Sequence, residues 1–180
     1  MPLYRPDGTV LGMRREELLD AAEGLLSDQG SSALTLAAVA ERAGCSKGGL
    51  LYHFATKEAL IKGMVERLIE EFDELVAAQG HDTYTKNYLA ATFAAVQSGR
   101  LRRWAVVTGA SGNLYLLTPL REAMARWHRE GLESEPDPVA ARIVRLACEG
   151  VWDVASHDPG LYDGRHYAEL ERRLLDLLGG

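Results

Sequence analysis

Between Gly44 and Lys57 the chain reads GCSKGGLLYHFATK, a stretch without Asp or Glu. Lys47 and Lys57 bracket it, with Tyr52 and His53 between them. Two ammonium groups, a phenol and an imidazole are donors suited to phosphate oxygens, and a helix N-terminus there would add backbone N–H groups. Gly48 and Gly49 lie in the same stretch. Each costs a helix about 1 kcal/mol relative to alanine, which is easier to understand where backbone must approach a ligand closely. An ordinary exposed short helix could carry the same residues, so the flanking sequence has to decide.

Those flanks read as helix, tight turn, helix. Leu36, Val39, Ala40 and Ala43 recur at i, i+3, i+4 and i+7, which gives one apolar face. Thr35 can cap that helix, Gly44 can end it with a positive φ, and Ser46 can cap the next helix, which runs to Phe54 before Thr56 opens a third. Two short helices across a short glycine-containing turn form a helix-turn-helix. On a helical wheel Leu50, Leu51 and Phe54 group as the inward side, opposite Gly48, Gly49, Tyr52 and His53. The candidate DNA-binding residues are Thr35, Ser46, Lys47, Gly48, Gly49, Tyr52, His53 and Lys57.

This N-terminal region resembles the TetR family of tetracycline-repressor-like regulators. The resemblance rests on Gly30, Thr35, Val39-Ala40, Ala43-Gly44-Cys45-Ser46, Gly49-Leu50-Leu51, His53-Phe54, Lys57-Glu58 and Leu60, and covers the chain from about Arg14 to Leu60. The family's usual tyrosine after the leucine is replaced here by Leu51, with Tyr52 one position later. The phosphate contact carried by that tyrosine therefore does not transfer to Leu51. The resemblance implies a homodimer on double-stranded DNA with an inverted-repeat operator, and a pocket in the C-terminal domain for a small-molecule effector. No cofactor or metal is expected.

Composition fits this without forcing it. The chain has 180 residues, is 47% hydrophobic and carries a formal charge of −6. Residues 1–57 hold six basic against seven acidic residues, and the rest fourteen against nineteen. An acidic body weakens non-specific binding to DNA while local cations retain site binding. Cys45 and Cys148 have no metal or disulfide-framework spacing and read as reduced thiols. No signal-peptide pattern or membrane-length apolar run is visible, so a cytoplasmic location without membrane attachment is expected.

The remainder reads as helical, giving an all-α protein. The expected parts are a flexible arm over 1–12, a three-helix DNA-binding domain over 13–57, and a helical ligand-binding and dimerisation domain over 58–180. Arg5, Arg14 and Arg15 could reach backbone phosphates or a minor groove. The spacing predicts a first helix from Met13 to Gln29 and a long helix from Thr56 to about Ala78. The long helix carries a stripe from Leu60 to Val76, with Glu70, Glu71, Asp73 and Glu74 toward solvent. Further helices are predicted over Tyr84–Gln97, Leu101–Thr108, Pro119–Leu132, Pro138–His157 and Arg165–Leu178. In the last two, Ile143, Ala147, Gly150, Val154, Leu170, Leu174 and Leu177 form apolar stripes that either finish the core or meet a second copy. The family resemblance favours the second copy. Met64, Tyr88, Trp104, Tyr115, Trp127 and Trp152 are the candidate pocket residues, because aromatic side chains line small-molecule sites as well as cores. Acidity with aromatic lining points to a mostly apolar or cationic ligand.

A competing pattern is Ala105–Asn113, AVVTGASGN, which imitates a strand followed by a dinucleotide-binding turn. It fails on four counts. The third glycine position is Tyr115, no acid ends a second strand, too little chain follows for the sheet, and no Tyr-x-x-x-Lys pair exists. Gly109 and Gly112 instead suit the bend or end of a helix near a pocket. The remaining histidines, His81, His128, His157 and His166, show no metal-binding spacing. The expected function is a ligand-responsive regulator, most simply a repressor, and not an enzyme. The alternative is a helical small-molecule-binding protein or enzyme whose N-terminal helices are only structural.

Overall fold

The structure, a computed structural model, describes residues 15–112 and 114–179. The expected arm over 1–12, with Arg5, lies outside the described residues, as does Arg14. Among these residues nine α-helices follow one another: α1 (Arg15–Gln29), α2 (Leu36–Ala43), α3 (Lys47–His53), α4 (Lys57–Ala77), α5 (Tyr84–Gln97), α6 (Arg100–Ala110), α7 (Thr118–Trp127), α8 (Pro138–His157) and α9 (Gly164–Leu177). Among the described residues there is no strand.

The polar caps set most boundaries. Thr35, Ser46, Thr56 and Thr83 each accept a hydrogen bond from the backbone N–H three residues on, and Asp137 and Asp163 each accept two at the starts of α8 and α9. Pro138 occupies the first turn of α8, where a missing N–H does no harm. The helix predicted over Pro119–Leu132 is shorter than expected. It stops at Trp127, because Gly131 takes φ 62° and the chain tightens into a 3-10 turn over Leu132–Ser134. The long helix ends at Ala77, before Gly80 turns with φ 73°.

One continuous core runs from Leu18 in α1 to Leu174 in α9. α4 is its axle: Leu60, Ile61, Met64, Val65, Leu68, Ile69, Phe72 and Val76 are buried, and α4 touches α1, α5, α6 and α7. Two of its acids are not simply solvated, contrary to the sequence reading. Glu71 takes bonds from Arg103, and Asp73 takes bonds from Arg126 and the Trp127 indole N–H. α5 carries α8 and α9 on its flanks, while α8 and α9 touch each other only lightly.

A buried ionic lock closes the body. Arg145 of α8 is fully buried. Its guanidinium donates to Thr85 Oγ1 at 2.9 and 2.7 Å, to the Trp127 carbonyl at 2.9 Å and to Glu135 at 3.2 Å. Glu135 in turn accepts from the N–H and hydroxyl of Thr85. The guanidinium also lies over the Tyr84 ring, 5.0 Å from its centroid.

Candidate functional site

Within α3 only Leu50 is buried. Gly44 ends α2 with φ 71°, and the Cys45 N–H returns to the Ala40 carbonyl at 2.9 Å. Ser46 then accepts from the Gly49 N–H at 3.1 Å, as Thr35 does from Ala38 at 3.1 Å. Each hydroxyl keeps its own proton for an outside acceptor. Ser46, Lys47, Gly48 and Gly49 are exposed, Tyr52 is 87% exposed, and His53 is half-buried with its ring edge-on to Tyr52. Neither glycine has a positive φ. A Cβ at Gly48 or Gly49 would meet nothing in the chain nearer than the Ser46 hydroxyl, at 3.9 and 3.4 Å. Nothing inside the molecule requires glycine there, which leaves an outside surface as the physical reason for two unfavourable residues in a seven-residue helix.

Two placements differ from the sequence reading. Leu51 is exposed rather than packed with Leu50 and Phe54, because seven residues give α3 a narrow buried side. Lys57 is half-buried in the first turn of α4, and its ammonium lies 3.5 Å from the Ser31 carbonyl. It can reach an outside anion only by leaving that weak bond. Arg15 is engaged with Glu16 and Glu66 and lies over the Phe54 ring, so it serves to seat α3 on α4. Gly63 completes that seat: a Cβ there would come within 2.8 Å of Phe54.

The unit is clamped to the body by arginines that sequence reading missed. Arg67 of α4 is almost wholly buried and donates to Glu16, Asp20 and Glu23 of α1. Burial works against its charge, but Glu23 and Asp20 hold its pKa raised. Arg103 of α6 donates to Glu23 and also to Glu71, at 2.6 and 2.9 Å. Charges spaced far apart in sequence carry no periodic signal, so nothing short of the fold pairs them.

The second site is a cavity of about 440 Å³ in the C-terminal body, within the range of small-molecule pockets. Of the candidate pocket residues, Tyr88, Trp104, Trp127 and Trp152 line it. Met64 and Tyr115 do not. Met64 is fully buried in the core, and Tyr115, 79% exposed, follows Gly112, whose φ of 56° turns the chain after α6. Gly109 lines the pocket. The rings pack edge to face: Trp104 and Trp152 have centroids 4.9 Å apart, and Phe72 meets Trp127 at 4.9 Å and Trp152 at 5.0 Å. Glu149 and Asp153 of α8 add carboxylates that sequence reading did not single out. Tyr88 donates to Glu149 at 2.6 Å; burial and that carboxylate raise its pKa, so it stays a neutral donor. Nearby Cys148 is pushed up to about 12 by burial, which leaves it a poor nucleophile.

On the outer side of α8, Val139, Ile143 and Leu146 are exposed, Gly150 opens onto empty space, and Ala147 and Val154 are half-buried. On α9, Leu170 and Leu177 are exposed. Leu174 faces inward and belongs to the chain's own core, which changes what its substitution would test. Among the described residues no helix is long and apolar enough to cross a membrane.

Comparison with known proteins bears on both ends of the chain. The family described as bacterial regulatory proteins, tetR family, matches residues 18–64, and that described as tetracyclin repressor-like, C-terminal domain, matches residues 82–179. The transcriptional repressor KstR2 of Rhodococcus jostii is 36% identical over 69 residues, covering 36% of this chain and 34% of the relative. The nucleoid occlusion factor SlmA of Vibrio cholerae is 44% identical over 59 residues, covering 32% and 30%. The chain spans only about a third of the length of such curated relatives. A transcriptional regulator from Rhodococcus sp. Rha1 shares the fold at TM-score 0.67 and 22% identity, over 92% of this chain and 94% of that one. The multidrug binding protein EbrR, complexed with imidazole, does so at TM-score 0.59 and 24% identity, over 89% and 94%.

Proposed function

The chain belongs to the tetR family of bacterial regulatory proteins, and on that premise we propose that it is a ligand-responsive transcriptional repressor. The family is one of regulators, not enzymes. The observation that carries the reading is α3: a short, acid-free helix held outward by Ser46, with two glycines that no internal contact demands. Lys47, in its first turn, extends past the helix tip toward a base edge, while Ser46, Tyr52, His53, Lys57 and the cap Thr35 meet backbone phosphates.

The active form is a two-fold homodimer. The outer faces of α8 and α9 present Ile143, Leu146, Gly150, Leu170 and Leu177 to a second copy, a larger apolar surface than a terminal helix pair needs in water. The two α3 helices then lie roughly 34–36 Å apart, one turn of DNA, so the operator is an inverted repeat. A small molecule in the aromatic pocket releases the operator. Names among the structural relatives support a pocket of this kind, since EbrR is a multidrug binding protein and SmeT forms a complex with triclosan.

A nuclease footprint of the purified protein on the DNA flanking its own coding region tests the reading. The expected result is a protected inverted repeat, with sedimentation showing a dimer at micromolar concentration. No protected site, or a stable monomer, would overturn it.

A further inference from the structure

The pocket wall has lost most of its hydrogen-bond donors to internal partners. The Trp127 indole N–H donates to Asp73 at 2.6 Å and that of Trp152 to Thr92 at 3.3 Å. The Tyr88 hydroxyl donates to Glu149, and the Thr108 hydroxyl to the Trp104 carbonyl at 2.8 Å. The Trp104 indole and the Ser156 hydroxyl keep neutral donors. The described lining contains no Lys or Arg.

Acceptors, by contrast, remain. Glu149 takes the Tyr88 hydroxyl at 2.6 Å and His128 Nε2 at 3.2 Å on one oxygen, Oε1. Its Oε2 is left for whatever enters. One helical turn on, Asp153 lies at the exposed rim, with Oδ1 3.3 Å from His157 Nδ1. An anion entering here would meet two carboxylates and few donors. A neutral apolar molecule would fill the space but strip water from the Glu149 carboxylate without replacing it, an unfavourable step. A cation avoids both penalties, and the ring faces of Trp104 and Trp152 carry the negative side of their quadrupoles.

We propose that the pocket takes a flat organic cation, paired with Glu149 and laid against an indole face. This rests on reading the cavity as an effector site. A volume of about 440 Å³ suits a ligand of two or three fused rings, and the edge-to-face Trp104–Trp152 pair offers it one ring face rather than a slot.

Isothermal titration of the DNA-free protein with two probes of one shape tests it: N-methylquinolinium, a cation, and 1-methylnaphthalene, its neutral counterpart. The cation should bind about tenfold or more tighter. Glu149→Gln keeps an acceptor for Tyr88 but removes the charge, and should erase that preference by weakening the cation while the affinity for 1-methylnaphthalene holds or rises. Asp153→Asn should reduce it less, because the rim is solvated. Equal or stronger binding of the neutral probe, a preference unaffected by Glu149→Gln, or binding of neither probe overturns the proposal. Because no DNA is present, a failure of operator binding or release counts against the regulator reading alone.

Discussion

α3 and the aromatic pocket are built in opposite ways along α4. α3 is set by residues within one short stretch of chain, 35–56: Thr35, Gly44, Ser46 and Thr56 fix where α2, α3 and α4 start and stop. The pocket draws on α5, α6, α7 and α8, and its side chains are held by partners far away in sequence, such as Tyr88 with Glu149 and Trp127 with Asp73. The first surface is exposed and held by caps, each worth about 0.5–2 kcal/mol. The second is enclosed, and beside it lies the buried lock of Arg145, Glu135 and Thr85. A family can therefore vary the body without disturbing the reading unit, because the two are specified by separate sets of contacts joined mainly through α1, α4 and α6.

The largest test of this contrast is in the lock. Glu135→Ala leaves Arg145 charged, wholly buried and short of its carboxylate. Breaking a buried pair from one side costs about 3–5 kcal/mol, so thermal unfolding should show a clear drop in Tm. A shift no larger than that of a surface substitution would show that the body is held by packing alone.

The next effect is on DNA and should leave folding alone. Lys47 is exposed and Lys57 holds only a 3.5 Å bond to Ser31. The double variant Lys47→Ala, Lys57→Ala should weaken operator binding about 100-fold, as two contacts of some 1–1.5 kcal/mol each, and lower the salt slope by about one for the phosphate partner. Unchanged affinity at physiological salt in a folded protein would remove α3 as the reading element.

The same contrast explains what the sequence disclosed. Helix identity was legible throughout, because apolar periodicity and capping residues are local signals: α5 and α8 lie where the pattern puts them, Tyr84–Gln97 and Pro138–His157. The end of α7 was not, since a pattern that could continue to Leu132 is cut at Trp127 by the turn at Gly131. In the site, the tryptophans were legible by type and Glu149 was not, because one acid among twenty-six has no mark until Tyr88 is brought against it. Leu51 misled for a related reason: the wheel places it inward, but α3 is too short for a wide buried face.

A smaller effect separates the stability of the reading unit from its affinity. Ser46→Ala removes the hydroxyl that satisfies the Gly49 N–H and should cost about 1 kcal/mol of stability. If Ser46 also donates its proton to phosphate, affinity for the operator should fall by more than the fraction unfolded accounts for. Chemical denaturation and operator titration of the same variant distinguish the two, and equal losses would make Ser46 a cap only.

The smallest effect concerns the link between the two regions. Among the described residues two polar ties run from beside the pocket to α4. Trp127 of α7 is bonded to Asp73, near the C-terminal end of α4 and about 24 Å along the helix axis from its first residue. Arg103, next to Trp104 in α6, is bonded to Glu71 of α4 and also to Glu23 of α1, the helix that packs on α2. Only the second tie reaches α1, so a ligand that displaces Trp104 acts on the reading unit through Arg103. Coupling through such contacts is typically altered by about 0.5–2 kcal/mol. At the lower end of that range, about 0.5–1 kcal/mol, Arg103→Met should shrink ligand-induced operator release by roughly two- to fivefold, while ligand affinity measured without DNA stays the same. Asp73→Asn should change release less, because its tie ends on α4. If Asp73→Asn blunts release more than Arg103→Met does, the signal runs through α7 and α4, and α1 follows passively.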